Sequence, residues 1–261
     1  MNYSSNKKDY ISYSQFKMWT ECGHRYKLAY KENVPFYSSN EYTAFGTAIH
    51  ETCEKVIFGN EKKDPNDFFL ESFQESRKEI ENPNEKLASE MIPQAERILE
   101  DVHDAVDNFF GKRGVDYEVG TLEEQLFVPI RPDLAFKGYI DIVLLTPDGK
   151  YHIIDWKTCT WGWNARKKSS KLMTYQLTLY KKYFCEKHNI DPENVETYFA
   201  LMKRIAKKDS VEIFRVTSGN KKTENALKAL NNFIYNCDKS VYFKNRLSCK
   251  YCSFYKTEHC R

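Results

Sequence analysis

Apolar positions along the chain follow a helical rhythm in its first and last parts and a strand-like rhythm in the middle. From Ala88 to Phe110 they recur through Met91, Ala95, Ile98, Leu99, Val102, Ala105, Val106, Phe109 and Phe110, with acidic residues between them. That spacing predicts a long amphipathic helix with its acidic face in water. A helix is also predicted from Ser12 to about Tyr30, opened by Ser12 with Gln15 three residues on, a capping-box spacing. Another should follow Gly46, through Ile49, Cys53, Val56 and Ile57. Beyond Gly120 the rhythm changes. Leu122 to Ile130, Phe136 to Leu145 and Tyr151 to Lys157 are short β-rich runs, the last two separated by the turn sequence Pro147-Asp148-Gly149. A helix from about Lys171 to His188 follows, then strands Val195 to Met202 and Val211 to Val216, then a helix from about Lys222 to Asn236. From the long helix onward the order is α, β, β, β, α, β, β, α.

Composition narrows the class. With 261 residues, 41% hydrophobic and 30% charged, the chain is long enough to bury a core and has the balance of a globular protein. No stretch approaches the roughly 18 apolar residues of a membrane span, and the polar start lacks the apolar core of a signal peptide. A cytoplasmic protein with no membrane partner is expected. Eight cysteines in a reducing compartment point to ligation of a metal or cofactor wherever they cluster.

Charge is unevenly spread. Residues 61–107 hold 14 acidic and 6 basic residues, whereas residues 150–187 hold 9 Lys or Arg against Asp155 and Glu186. The basic run Lys203-Arg204 with Lys207-Lys208 follows. A basic face would attract a polyanion such as nucleic acid; a solvated lysine-rich face has the same composition.

Two carboxylates sit where strands should be apolar: Asp141 in Gly138-Tyr139-Ile140-Asp141-Ile142-Val143, and Asp155 in Ile153-Ile154-Asp155-Trp156-Lys157. If the two runs form a hairpin, the acids approach each other and repel, and a divalent cation resolves the conflict. Oxygen ligands suit magnesium or manganese, and strand alternation puts Asp155 and Lys157 on one face. An acid pair satisfied by Arg or backbone donors is the other reading.

The sequence Gly138-x-x-Asp141, then Asp155-x-Lys157, then Gln176-Leu177-Thr178-Leu179-Tyr180 resembles the PD-(D/E)XK nuclease superfamily, in its RecB-like branch. Upstream, Gly46-Thr47-Ala48-Ile49-His50 matches that branch's Gly-x-x-x-His helix motif. The resemblance covers nearly the whole chain, excepting roughly residues 59–118. It implies an α/β fold with a restriction-endonuclease-like core, a mixed central sheet flanked by helices, a helical insertion and a cysteine-rich C-terminal tail. It implies one nuclease domain over residues 1–261: N-terminal helices to 58, the insertion over 59–118, the catalytic core over 119–236 and the tail over 237–261. His50, Asp141, Asp155 and the Trp156 backbone carbonyl would be metal ligands, and Lys157 would orient and polarise the attacking water. Gln176 and Tyr180 would be active-site residues, Tyr180 also touching DNA. Four residues apart on a helix, these two share one face. An imidazole in an otherwise oxygen site favours manganese at least as much as magnesium.

Three late cysteines, Cys249, Cys252 and Cys260, form a set lacking one ligand. RecB-like nucleases of the helicase-nuclease and CRISPR-adaptation type carry one early and three late cysteines around a 4Fe-4S cluster, which implies Cys22 as the fourth. The gap from Cys252 to Cys260 is longer than usual in that group, leaving room for His259 as a ligand or for zinc in place of iron. Joining Cys22 to the tail would close a loop of over two hundred residues, worth about 5 kcal/mol of chain entropy. Cys53, Cys159, Cys185 and Cys237 have no such spacing and are expected as small buried hydrophobes.

After the catalytic run come Trp161, Trp163, Arg166, Lys167, Lys168 and Lys171, aromatics leading into cations. Single strands are held by stacking plus a basic groove, so the segment is a candidate substrate guide; a Trp pair tucked into the core is the alternative. The reading reached is a metal-dependent DNA nuclease, foremost an exonuclease on single-stranded ends. A flap or junction endonuclease and a non-catalytic DNA-binding subunit are the rivals. No Gly-x-x-x-x-Gly-Lys-[Ser/Thr] phosphate loop is present.

Overall fold

The computed structural model describes residues 9–36, 39–111 and 116–261. The N-terminal part comprises β1 (Asp9–Ser12), α1 (Tyr13–Glu21), α2 (Gly23–Tyr26), α3 (Glu41–Thr52), α4 (Pro65–Arg77) and α5 (Glu85–Gly111). Then come β2 (Glu118–Arg131), β3 (Leu134–Leu145), β4 (Tyr151–Cys159), α6 (Ala165–Lys168), α7 (Lys171–His188), β5 (Val195–Lys203), β6 (Val211–Arg215) and α8 (Asn220–Asp238).

The six strands form one mixed sheet in the order β1-β3-β4-β5-β6, with β2 on the other edge of β3. β2–β3, β3–β4 and β5–β6 are antiparallel; β1–β3 and β4–β5 are parallel. Parallel neighbours need a crossover, and α7 supplies it between β4 and β5. β5 is buried on both faces, which is why it reads as a continuous apolar run. One core lies on the side of α1, α7 and α8, around Phe16, Phe136, Leu177, Phe199 and Phe233. The second lies on the side of α3, α4 and α5, around Phe45, Phe69, Met91, Ile98 and Trp156. The expected class, a mixed central sheet flanked by helices with a cysteine-rich tail, is the one observed.

Two expectations change. The first helix does not run unbroken to Tyr30: Ser12 caps α1, its Oγ accepting from Gln15 N–H at 3.3 Å, but the chain turns extended at Cys22. The tail causes the break. His24 N–H donates to Phe243 carbonyl at 3.1 Å, and a Cβ at Gly23 would lie 3.1 Å from Phe243 N. The next helix begins before Gly46, not after it, because Asn40 and Thr43 form a reciprocal capping box. Gly46 therefore sits mid-helix, where a Cβ would lie 3.4 Å from Thr158 Oγ1 of β4, an ordinary contact distance.

Candidate active site

The strand β3 shares one edge between two partners, β1 over Leu134–Lys137 and β4 over Ile142–Leu145. Residues 138–141 lie in the window between them. There the side-chain alternation slips: even-numbered residues of β3 enter the first core as far as Ile140 and the second from Ile142 onward. β2 makes the same change between Leu126 and Leu122, with Glu123 between them at a left-handed φ of 48°. Asp141 is thereby turned into the window, and its Oδ2 accepts from the Trp156 N–H at 2.7 Å.

Asp155 comes from β4 and is 2% exposed. Its Oδ1 accepts from Gln176 Nε2 at 2.7 Å, and its Oδ2 pairs with the Lys157 ammonium. Gln176 Nε2 also lies 3.4 Å from the Tyr180 hydroxyl, so the two residues do share one helix face. Tyr180 lies against Gly138, where a Cβ would stand 2.8 Å from ring Cε1. The glycine two residues before Ile140 is thus a space requirement, since any side chain there would displace the tyrosine.

From the other side of the sheet, α3 brings His50 Nδ1 to 3.9 Å from Asp141 Oδ2. The helix continues as a π-helical turn over Cys53–Ile57, carrying Glu54. His50, Glu54 and Asp141 each present a ligand atom, all within 4.8 Å of one another. Glu54 is absent from the sequence-derived ligand set, although its i, i+4 spacing from His50 was a visible signal. Tyr13 was missed as well. It is 6% exposed, its hydroxyl has no hydrogen-bond partner among the described residues, and its neighbours Tyr180 and Asp155 place it beside the window.

The electrostatics are those of acids crowded out of water. Burial pushes the Asp141 carboxyl up to about 6 against the pull of Lys157 and the Trp156 N–H. Burial likewise raises Asp155 to about 6, with Lys157 opposing and Asp141 adding to the rise. Glu54 is pushed to about 9 by burial and by the charges of Asp141 and Glu123. His50 moves the other way, down to about 4, through burial and the nearby Lys157. A neutral imidazole beside carboxylates that repel one another is a donor set that fits a divalent cation.

The tryptophan pair after β4 divides. Trp161 is 73% exposed, whereas Trp163 is buried, its ring packed on Phe199 and Phe214 at 5.2 and 6.2 Å between centroids and faced by Lys167. Trp163 has no open face for a base, and the stacking expectation for it is corrected to a core role. The segment is also less extended than expected, since residues 165–168 form α6 under an Asn164 cap. Lys168 pairs with Glu212; Arg166, Lys167 and Lys171 are exposed.

Far from the window, Cys22, Cys249, Cys252 and Cys260 line one cavity of about 100 Å³, together with His24, Leu28 and Phe254. All four are free thiols. Asn245 N–H donates to Cys22 Sγ at 3.4 Å. His259 does not line this cavity; its Nε2 lies 3.6 Å from Glu258. Of the other four cysteines, Cys53 and Cys185 are buried as expected, while Cys159 and Cys237 keep partial exposure.

The fold and this acidic window define a class of phosphodiester-cleaving proteins, and comparison with known proteins agrees. The family model of the PD-(D/E)XK nuclease superfamily matches residues 10–257, and the chain belongs to that superfamily. Among solved structures, the chain is similar to a protein of Eubacterium rectale described as a "putative exonuclease", at 16% identity, TM-score 0.63, covering 98% of this chain and 92% of that one. Two more distant likenesses are SSO0001, at 13% identity and TM-score 0.41 over 95% of this chain and 84% of that one, and LHK-Exo in complex with dAMP, at 10% identity and TM-score 0.29 over 76% and 91%. No curated protein matches the sequence. No helix among the described residues is long and apolar enough to cross a membrane.

Proposed function

We propose that the protein is a metal-dependent deoxyribonuclease acting from the ends of single-stranded DNA, with residues 1–261 as one nuclease domain. The observation that carries this reading is the gathering of His50, Glu54 and Asp141 within 4.8 Å of one another, beside the Asp155–Lys157 pair. In this reading His50, Asp141, Asp155 and the Trp156 carbonyl hold magnesium or manganese, and Glu54 joins them. A divalent ion there supplies a Lewis acid to the phosphodiester and lowers the pKa of water. Lys157, anchored by Asp155, positions the attacking water. Gln176 fixes the rotamer of Asp155 from behind. The Tyr180 and Tyr13 hydroxyls, which burial keeps protonated, offer O–H donors to phosphate oxygens as charge develops. Trp161, Arg166, Lys167, Lys168 and Lys171 guide the strand away from the window. A pure DNA-binding subunit has no use for buried acids that repel both one another and a phosphate.

The test uses end-labelled linear and closed circular single strands with manganese. Linear strands should be degraded to short products while circles survive. Cleavage of circles at a comparable rate would move the assignment to an endonuclease acting on flaps or junctions.

We infer further that the four cysteines hold a 4Fe-4S cluster. The observation that supports this is that all four line one cavity, although Cys22 stands more than two hundred residues from the other three. Anaerobically purified protein should be brown with about four iron per chain. Stoichiometric zinc without iron would refute the cluster.

A further inference from the structure

One part of the sheet is open to solvent on the α3 side, and it leads straight to the window. Before the slip at Asp141, the face of β3 opposite the first core carries Lys137 and Tyr139. The register places Ser12 of β1 and Phe127 of β2 on either side of Lys137, Gln125 opposite Tyr139, and Tyr10 opposite Ala135. Tyr10, Phe127 and Tyr139 keep 45%, 44% and 47% exposure. Three aromatic residues and a cation therefore share one open surface, where side chains of an unpartnered sheet face would ordinarily be polar.

These residues are already organised. Lys137 Nζ lies 4.7 Å from the Tyr10 ring centroid and 5.7 Å from that of Tyr139. Gln125 Nε2 donates to the Tyr139 hydroxyl at 2.8 Å, which holds the ring by its edge. No ion pair engages Lys137 among the described residues, so its charge is available to a phosphate. Tyr139 and Lys137 stand two and four residues before Asp141 on the same strand, about 7 and 14 Å along it. A chain lying on this surface would thus run without interruption from the aromatic patch to the carboxylates.

We propose that Tyr10, Phe127, Lys137 and Tyr139 form a stacking platform for single-stranded nucleic acid beside the window. The proposal rests on the nuclease reading for the position of the scissile phosphate. Aromatic faces interleaved with a cation recognise unpaired bases of any sequence, whereas a duplex keeps its base faces stacked inside and presents only phosphates. The platform therefore selects strandedness, not sequence.

The experiment is fluorescence anisotropy of the full chain in EDTA, which prevents cleavage, with a labelled 12-nucleotide oligothymidylate and a 12-base-pair duplex. A Phe127→Ser, Tyr139→Ser variant should lose at least tenfold in affinity for the single strand and less than twofold for the duplex. Since both residues are at the surface, circular dichroism should show an unchanged fold. As a measurement needing no variant, an oligonucleotide carrying 4-thiothymidine should crosslink to wild-type peptides containing Phe127 or Tyr139. Unchanged single-strand affinity with crosslinks confined to other peptides overturns the platform; if the variant also converts a dimeric wild type to monomer, the face belongs to a second copy of the chain. Hydrolysis of thymidine 5′-(4-nitrophenyl phosphate) by wild-type protein with manganese tests the nuclease reading separately, and its failure would leave the anisotropy result standing.

Discussion

The window and the cysteine cavity both gather residues far apart in the sequence, but they are built from different materials. The window's groups stand on β3, β4, α3 and α7, elements fixed by two large cores, so its acids are held together against their own repulsion. The cavity is walled by the break at Cys22, a 3-10 turn over Arg246–Tyr251 and the turns after it. Among the described residues its local core is Leu28, Ala29 and Phe254 with a few partly buried neighbours. In the proposed reading, a scaffold rigid enough to bury mutually repelling charges needs no ion to hold its shape, whereas a tail with so small a core would depend on a cluster joining the four sulfurs. On that reading the window is organised for chemistry and the cavity for closure of the chain.

The comparison breaks most sharply if the two regions are not separable. Asp141→Ala should lower metal-dependent cleavage at least a thousandfold in single-turnover assays with manganese, while metal-free stability stays the same or rises, because a buried charge in conflict has been removed. Next, Glu54→Gln should weaken manganese binding at least tenfold by titration calorimetry, with wild-type structure by circular dichroism. An unchanged affinity would remove Glu54 from the ligand set.

Cys22→Ser acts on the other region. It should abolish bound iron and lower the melting temperature by about 10 °C, as expected for loss of a long-range crosslink. The cleavage rate of the folded fraction should stay within a few-fold of wild type. A thousandfold loss at full stability would mean that the cavity takes part in the chemistry.

Proton linkage sharpens the account of the window. Asp141 and Asp155, raised to about 6, and Glu54, raised to about 9, bind protons in the folded protein that the unfolded chain has released. Their stabilising contribution is therefore present at low pH and lost as pH rises through those values. His50, lowered to about 4, works in the opposite sense between there and its ordinary value of 6.5. Two carboxyls and Glu54 outweigh one imidazole, so metal-free protein should melt at a lower temperature at pH 7 than at pH 5. Because the ligands must shed protons to bind a cation, manganese affinity should fall as pH drops through about 9, where Glu54 takes up its proton, and fall further below about 6. Melting curves and calorimetry across that range check both signs.

The smallest effect belongs to the segment after β4. Trp161→Ala should raise KM for a single strand a few-fold at unchanged stability. Trp163→Ala should instead destabilise the fold by about 3–5 kcal/mol, the cost of emptying a large aromatic site. Equal effects on KM from both would restore Trp163 to the substrate path.

Much of this was legible in the sequence because period and position agree there. α7 begins and ends at the predicted residues, and the Asp155-x-Lys157 alternation puts both groups on one face as strand geometry requires. What was not legible depends on contacts between distant segments. The four residues of β1 are too few to show a period and are strand only because β3 pairs with them. The turn at Cys22 is imposed by Phe243, more than two hundred residues away. Glu54 is an ordinary helical acid until the slip at Glu123 and Asp141 brings two more carboxylates beside it. Trp161 and Trp163 look alike in sequence, and only the packing of Phe199 and Phe214 separates them.

The central claim, that the buried acids of the window carry out metal-dependent phosphodiester cleavage, is tested most directly at Asp155. The measurement is the initial rate on a 5′-labelled linear single strand with manganese, comparing wild type, wild type in EDTA and Asp155→Ala at matched folded concentration. The account predicts cleavage by wild type alone, with both other samples at least a thousandfold slower. Cleavage by Asp155→Ala at the wild-type rate would contradict it.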